Sequence, residues 1–179
     1  MVSACEECGF DPALAHAAGI APELAALAGR FAATVATSAP DVLARRPAPG
    51  VWSPTEYLAH VRDVLLVQRE RVVLARVEER PSFARMYRDE RVAICGYGAF
   101  GAPAVLQQLQ MAGELCAAAF ASIEGAAWQR RLVYNWPAPA ERDLAWLARH
   151  TLHEGVHHLF DIERIVSGAG STPDGRQAG

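Results

Sequence analysis

The 179-residue chain contains no lysine; all seventeen of its basic residues are arginine. With the abundance of alanine, this leads to the expectation of a GC-rich genome, of the actinobacterial kind, rather than to any chemistry. The first basic residue is Arg30, so no cationic region of a secretory signal stands at the N-terminus. No apolar run approaches the roughly eighteen residues that cross a bilayer. These absences lead to the expectation of a cytoplasmic protein that inserts in no membrane. The net charge is -3, and the densest arginine stretch, Arg62 to Arg91, is interleaved with Asp63, Glu70, Glu78, Glu79, Asp89 and Glu90. A nucleic-acid surface needs one dominant sign of charge, so nucleic acid is not an expected partner. There are only four cysteines. In a reducing compartment they are thiols or metal ligands rather than disulfides.

At this length and with 51% apolar residues, the chain reads as one domain with a normal core. Residues 1–20 form an irregular N-terminal arm, residues 21–168 a helical domain, and residues 169–179 a Gly/Ser/Pro-rich flexible tail. Pro22 opens an alanine-rich helix to about Thr37, and a short helical piece follows near Asp41 to Arg45. Ser53-Pro54-Thr55-Glu56 is a capping box with proline at the first helical position, and the helix it starts runs to about Val77. Residues 79–101 lose the period and predict a long loop with a short helix around Ser82 to Arg91. Pro103 opens a third long helix to about Ile123, residues 128–140 form a loop or short extended piece, and a last helix runs from near Arg142 to Ser167. Four long helices with long crossovers predict an all-α four-helix bundle.

The richest stretch is His153-Glu154-Gly155-Val156-His157-His158 on the last helix. Leu144, Ala148, Leu152, Gly155, Leu159, Ile162 and Val166 share its apolar face. At 100° per residue, His158 lies about 60° from the centre of that face and Glu154 about 100°, with Asp161 just beyond. Glu154 and His158 are four residues apart, so their side chains are neighbours able to clasp one ion. His60 borders the apolar stripe of the capped helix. If the two helices pack side by side, His60, Glu154 and His158 converge as two imidazoles and a carboxylate, with positions left open for water or substrate. Spacing alone leaves an equally ordinary alternative: histidines that simply hydrogen-bond at a helix boundary.

The pattern Trp52-x-Pro54-x-Glu56-x-x-x-His60-x-x-Asp63, followed by Glu154-x-x-His157-His158-x-x-Asp161-Ile162, resembles the DinB-like superfamily. The agreement in order and separation extends over roughly residues 20–167. That group includes mycothiol-dependent maleylpyruvate isomerases and related S-transferases of small bacterial thiols. The resemblance implies an up-down-down-up bundle whose divalent ion, usually zinc with nickel or iron as alternatives, is held by His60, Glu154 and His158. It implies that the ion binds the sulfur of a low-molecular-weight thiol such as mycothiol, and that a small electrophile is the second substrate. Asp161 orients an imidazole in this reading or is a solvated acid. A homodimer is compatible with it. His153 and His157 offer a second register one residue earlier.

Cys5-x-x-Cys8 is half of a zinc site. His153 and His157 lie on the outer face of the last helix beside Trp146 and Phe160, and the arm with Phe10 could cover them. The four residues then form a closed structural site, replace the other ligands, or leave a pair of reduced thiols or a redox switch. Cys116 is expected in the core and Cys95 has no sign of activation. Tyr97, Phe100, Trp128 and Trp136 are candidate walls of a ligand pocket shaped by the 79–101 and 128–140 segments. The functional readings are a metal-dependent thiol S-transferase, a non-catalytic bundle that binds a metal or small ligand, and, with weaker support, a metal-dependent hydrolase.

Overall fold

The computed structural model describes residues 4–168. In chain order its helices are α1 (Ile20–Val35), α2 (Pro40–Ala44), α3 (Pro54–Val77), α4 (Arg88–Ile94), α5 (Ala102–Ala121) and α6 (Leu144–Val166). The four long helices form the core. Both α1 and α3 pack against α5 and α6, so α1 faces α3, and α5 faces α6, across the diagonals. The stripe expected on α6 is the buried one: Leu144, Ala148, Leu152, Leu159 and Ile162 are almost without exposure, joined by Leu147 and Thr151. On α3 the apolar stripe that His60 borders, Leu58, Val61, Leu65 and Val72 with Gln68, is buried likewise.

Glycine sets how closely α1 approaches its neighbours. A Cβ at Gly155 on α6 would lie 2.5 Å from Leu27 Cδ1, and one at Gly113 on α5 would lie 3.1 Å from the Leu24 carbonyl oxygen. Leu27 is fully buried, so its side chain has little room to yield.

The all-α expectation needs a correction. A three-stranded sheet lies against the bundle, with β1 (Ser82–Phe83) parallel to β2 (Arg131–Asn135) and β2 antiparallel to β3 (Pro139–Asp143). Leu132 and Tyr134 point inward from β2, a period of two. That period spans only five residues, and Pro137 and Pro139 in the hairpin read as loop. β1 has two residues and no period at all. The same pairing moves the short helix of this crossover to residues 88–94, because Pro81 to Phe83 is committed to β2. α1 begins two residues before Pro22, which places that proline in the first turn, where its missing N–H is not needed. The expected 169–179 tail lies outside the described residues.

α3 starts where the sequence places it. Ser53 Oγ accepts from the Glu56 amide at 3.2 Å, and Glu56 Oε2 accepts from the Ser53 amide at 2.8 Å. Arg46 then clamps the same carboxylate with Nη2 at 2.6 Å and Nε at 2.8 Å. Thr55 Oγ1 donates to the Leu43 carbonyl at 2.8 Å, which ties α2 to the start of α3. Trp52 and Tyr57, on either side of the cap, pack with ring centroids 5.4 Å apart as a hydrophobic staple.

Burial by itself would raise the Glu56 carboxyl, but the Arg46 guanidinium and the Ser53 amide outweigh it and hold the pKa below the ordinary glutamate range. A carboxyl depressed by folding stabilises the protein above its unfolded pKa, and that contribution is lost as pH falls through the folded value. Arg46 is nearly half exposed, so water screens the ion pair. Glu56→Gln is expected to cost roughly 1 kcal/mol at neutral pH in urea unfolding, with a shallower loss of stability in acid than wild type. At Gly155, alanine gains about 1 kcal/mol of helix propensity but meets Leu27. Gly155→Ala is therefore expected to lower the thermal midpoint.

Candidate metal centre

His60, Glu154 and His158 come together where α3 packs on α6. One potential ligand atom from each lies within 4.8 Å of the other two. The His60 and His158 ring centroids are 4.9 Å apart, and His158 Nε2 is 3.8 Å from Glu154 Oε2. His60 and His158 are buried, and Glu154 keeps a quarter of its side chain exposed. Trp52 packs edge-on against His60 at 5.0 Å, and Tyr57 lies 5.4 Å from the His158 ring. The staple that starts α3 thus also forms the wall behind both imidazoles.

The protonation states of these groups favour a cation. Burial, then the neighbouring His158, pushes the His60 pKa down to about 3, so the ring is neutral with a lone pair available. Burial would raise the Glu154 carboxyl, but the imidazoles of His150, His158, His60 and His153 more than offset this and keep it below the usual carboxylate range. His158 Nδ1 is 2.9 Å from Asp161 Oδ2. With that nitrogen donating to the carboxylate, Nε2 is left bare toward Glu154 and His60. His60 Nδ1 is buried and has no hydrogen-bond partner among the described residues. An orphaned nitrogen on a neutral imidazole, beside an ionised carboxylate and a second oriented imidazole, fits a divalent cation. Two neutral ligands and one anion leave a doubly charged ion with net positive charge and open positions.

A cavity of about 290 Å³ opens onto this cluster. One wall is a row on α3, His60, Val64 and Gln68, and another is a row on α6, His150 and Glu154. Each row advances one turn at a time, which keeps it on one helix face. The mouth is built from Arg85 to Glu90 and from Tyr134 and Trp136, the two segments expected to shape it. The Arg85 guanidinium lies 4.6 Å from the Tyr87 ring centroid and 5.8 Å from that of Trp136.

Of the four aromatics proposed as walls, Trp136 lines the cavity. Tyr97 is instead fully buried with its hydroxyl donating to Asp63 Oδ2 at 2.6 Å, and Trp128 stacks on Phe120. Phe100 is exposed outside the lining. Asp63 also pairs with Arg62 and Arg91, which makes it a tether for the long crossover.

The sequence reading missed His150 and the residues that support it. His150 Nε2 lies 3.1 Å from Tyr134 Oη and 3.8 Å from Glu154 Oε1. Tyr134 Oη accepts from Gln68 Nε2 at 3.4 Å, and Gln68 Oε1 accepts from the buried Arg71 at 3.3 Å. A polar chain thus runs from Arg71 to Glu154. The i, i+4, i+8 row His150, Glu154, His158 was present in the sequence as its signal. Tyr134 carried none, because only the hairpin brings it to α6.

The outer register on α6 is occupied as well. Cys5, Cys8, His153 and His157 each offer a ligand atom within 4.8 Å of the others. Phe10 stacks on His153 with centroids 5.1 Å apart. The arm docks on α6 as expected there, but Trp146 is covered by the hairpin: it packs on Tyr134 at 5.0 Å and His150 at 4.6 Å.

A four-helix core with a buried pair of imidazoles and a carboxylate beside a cleft describes a class of helical proteins able to hold an open cation. The sequence profile of the DinB superfamily matches residues 23–162, and the chain belongs to that superfamily. Among solved structures it is similar to YfiT from Bacillus subtilis, described as a probable metal-dependent hydrolase with an unusual four-helix bundle topology. The TM-score is 0.74, the identity 16%, and the match covers 86% of this chain and 87% of that one. At that identity the likeness is one of fold. No curated protein matches the chain.

Metal binding has two direct tests. His60→Ala and His158→Ala should each remove the ion from the inner cluster with helical content near wild type. Asp161→Asn keeps the ligands but weakens the acceptor for His158, and should lower metal affinity by roughly 10–100-fold in competition with a chromogenic chelator. Unchanged affinity would make Asp161 a solvated acid.

Proposed function

We propose that the protein is a metal-dependent enzyme that activates a low-molecular-weight thiol, mycothiol or a similar compound, for attack on a small electrophile. The observation that carries this reading is the composition of the cavity. It joins a candidate metal-ligating cluster to ionisable groups, and among the described residues its lining has no serine, threonine or cysteine. Cys116 is buried in α5, where burial pushes its thiol up to about 12, and Cys95 is exposed outside the lining. In this reading the nucleophile is a thiol supplied from solution.

Bound by His60, Glu154 and His158, a divalent ion, zinc with nickel or iron as alternatives, supplies the Lewis acidity that makes a thiol ionise near neutral pH. The chain's residues do the rest. Glu154 neutralises one of the two positive charges and leaves a centre that favours an anionic sulfur. Asp161 orients His158, and Trp52 and Tyr57 hold both imidazoles in place. In this reading His150, beside Tyr134 Oη and Glu154, takes the thiol proton. The thiolate forms a carbon–sulfur bond, and the leaving group departs with its electron pair, or the adduct takes a proton when no group leaves. Arg85 at the mouth suits an electrophile carrying a carboxylate.

A hydrolase reading draws support from the solved neighbour, described as a probable metal-dependent hydrolase: water would take the place of the thiol. A binding bundle without turnover is the third reading. Product formation from an aryl halide or maleyl compound should require both metal and added mycothiol, bacillithiol or glutathione. It should survive Cys95→Ala and Cys116→Ala and fall by on the order of a hundredfold or more in His60→Ala. Turnover of an ester or amide without thiol would select the hydrolase. A metal-loaded protein with neither activity would select the binding bundle.

A further inference from the structure

The outer face of α6 and the N-terminal arm carry a second cluster, independent of the cavity. We propose that Cys5, Cys8, His153 and His157 bind one zinc ion in a closed, tetrahedral, structural site that fastens the arm to α6.

The arm is folded for this task. The Gly9 amide donates to the Cys5 carbonyl at 2.9 Å, and the Cys5 amide donates to the Phe10 carbonyl at 2.8 Å. Gly9 has φ +72°, a left-handed conformation that glycine adopts without strain. The turn thus closes on itself and presents both sulfurs to one side. On α6, His153 and His157 are four residues apart and present both rings to that side, with centroids 5.6 Å apart.

The distances suit zinc. A tetrahedron with bonds of about 2.0–2.3 Å has edges of roughly 3.3–3.8 Å. Cys5 Sγ is 3.7 Å from His157 Nδ1, and all four ligand atoms lie within 4.8 Å of one another. His153 Nε2 is buried with no hydrogen-bond partner among the described residues, a vacancy that a metal bond would fill. His157 Nε2 faces Glu7 Oε2 at 3.3 Å, so a carboxylate from the arm itself orients the ring that turns Nδ1 to the sulfurs.

Charge separates the two centres. Two thiolates neutralise the ion, and four protein ligands leave no open position, so the outer site is inert and structural. The inner site, with one carboxylate, stays positive and open. Among the described residues before the first helical turn, only Phe10 and Ala15 pack apolar surface against the core. The metal bond supplies the remaining anchorage, as in other small segments that fold around zinc. It also tethers α6 from outside at positions 153 and 157, next to the inner pair at 154 and 158.

The test uses the full chain loaded with cobalt(II) in place of zinc. The wild type should show sulfur-to-cobalt charge transfer in the near ultraviolet and intense visible bands of tetrahedral cobalt. His60→Ala should retain both, although it loses the inner ion and activity. Cys5→Ser/Cys8→Ser should lose the charge-transfer band and about one equivalent of zinc per chain, with a lower thermal midpoint. Wild-type protein that binds cobalt without the charge-transfer band overturns the proposal, and this measurement needs no variant to fold. Unchanged zinc content in Cys5→Ser/Cys8→Ser overturns it too, as does a Cys5–Cys8 disulfide in protein purified under reducing conditions.

Discussion

The 100° step between successive residues of an α-helix is the constraint on which this molecule is built. On α6 it turns two overlapping i, i+4 pairs to different surroundings. His153 and His157 face the arm, while Glu154 and His158 face α3 and the cavity. A one-residue offset in sequence thus separates a sulfur-rich cluster from an oxygen- and nitrogen-rich one. Gly155, between the two registers, lets Leu27 of α1 pack directly on the helix and fixes its rotation in the core.

The start of α3 has a comparable double role. The capping box satisfies helix-end amides, and Arg46 pins the same glutamate. The staple pair Trp52 and Tyr57 then lies against the two imidazoles. One short motif both begins the helix and shapes the surroundings of His60, two turns further on. Residues that look like punctuation in the chain are part of the site.

The cavity shows where reading along the sequence stops. Periodicity alone placed His60, Glu154 and His158 beside buried stripes, and they meet. The His150 row is equally periodic, but what marks His150 out is its contact with Tyr134, which no helical period contains. Tyr134 and Gln68 could not be linked to it: they are 66 residues apart, and their contact exists only because β2 lies across α3. Tyr97 looked like a pocket aromatic, yet a buried partner for its hydroxyl, Asp63, drew it into the core.

By itself the sequence determined the four long helices, their apolar faces, the N-terminus of α3 and the spacing of the candidate metal ligands. These follow from local rules: helical period, capping and proline placement act within a few residues. Only the tertiary structure decided that the crossovers form a sheet and that the arm lies on α6. It likewise decided that His150 is joined through Tyr134 and Gln68 to Arg71. Those outcomes depend on contacts between residues far apart in the chain, where a two-residue strand or a lone tyrosine carries no periodic signal. They arise from burial and hydrogen-bond pairing that no local window contains.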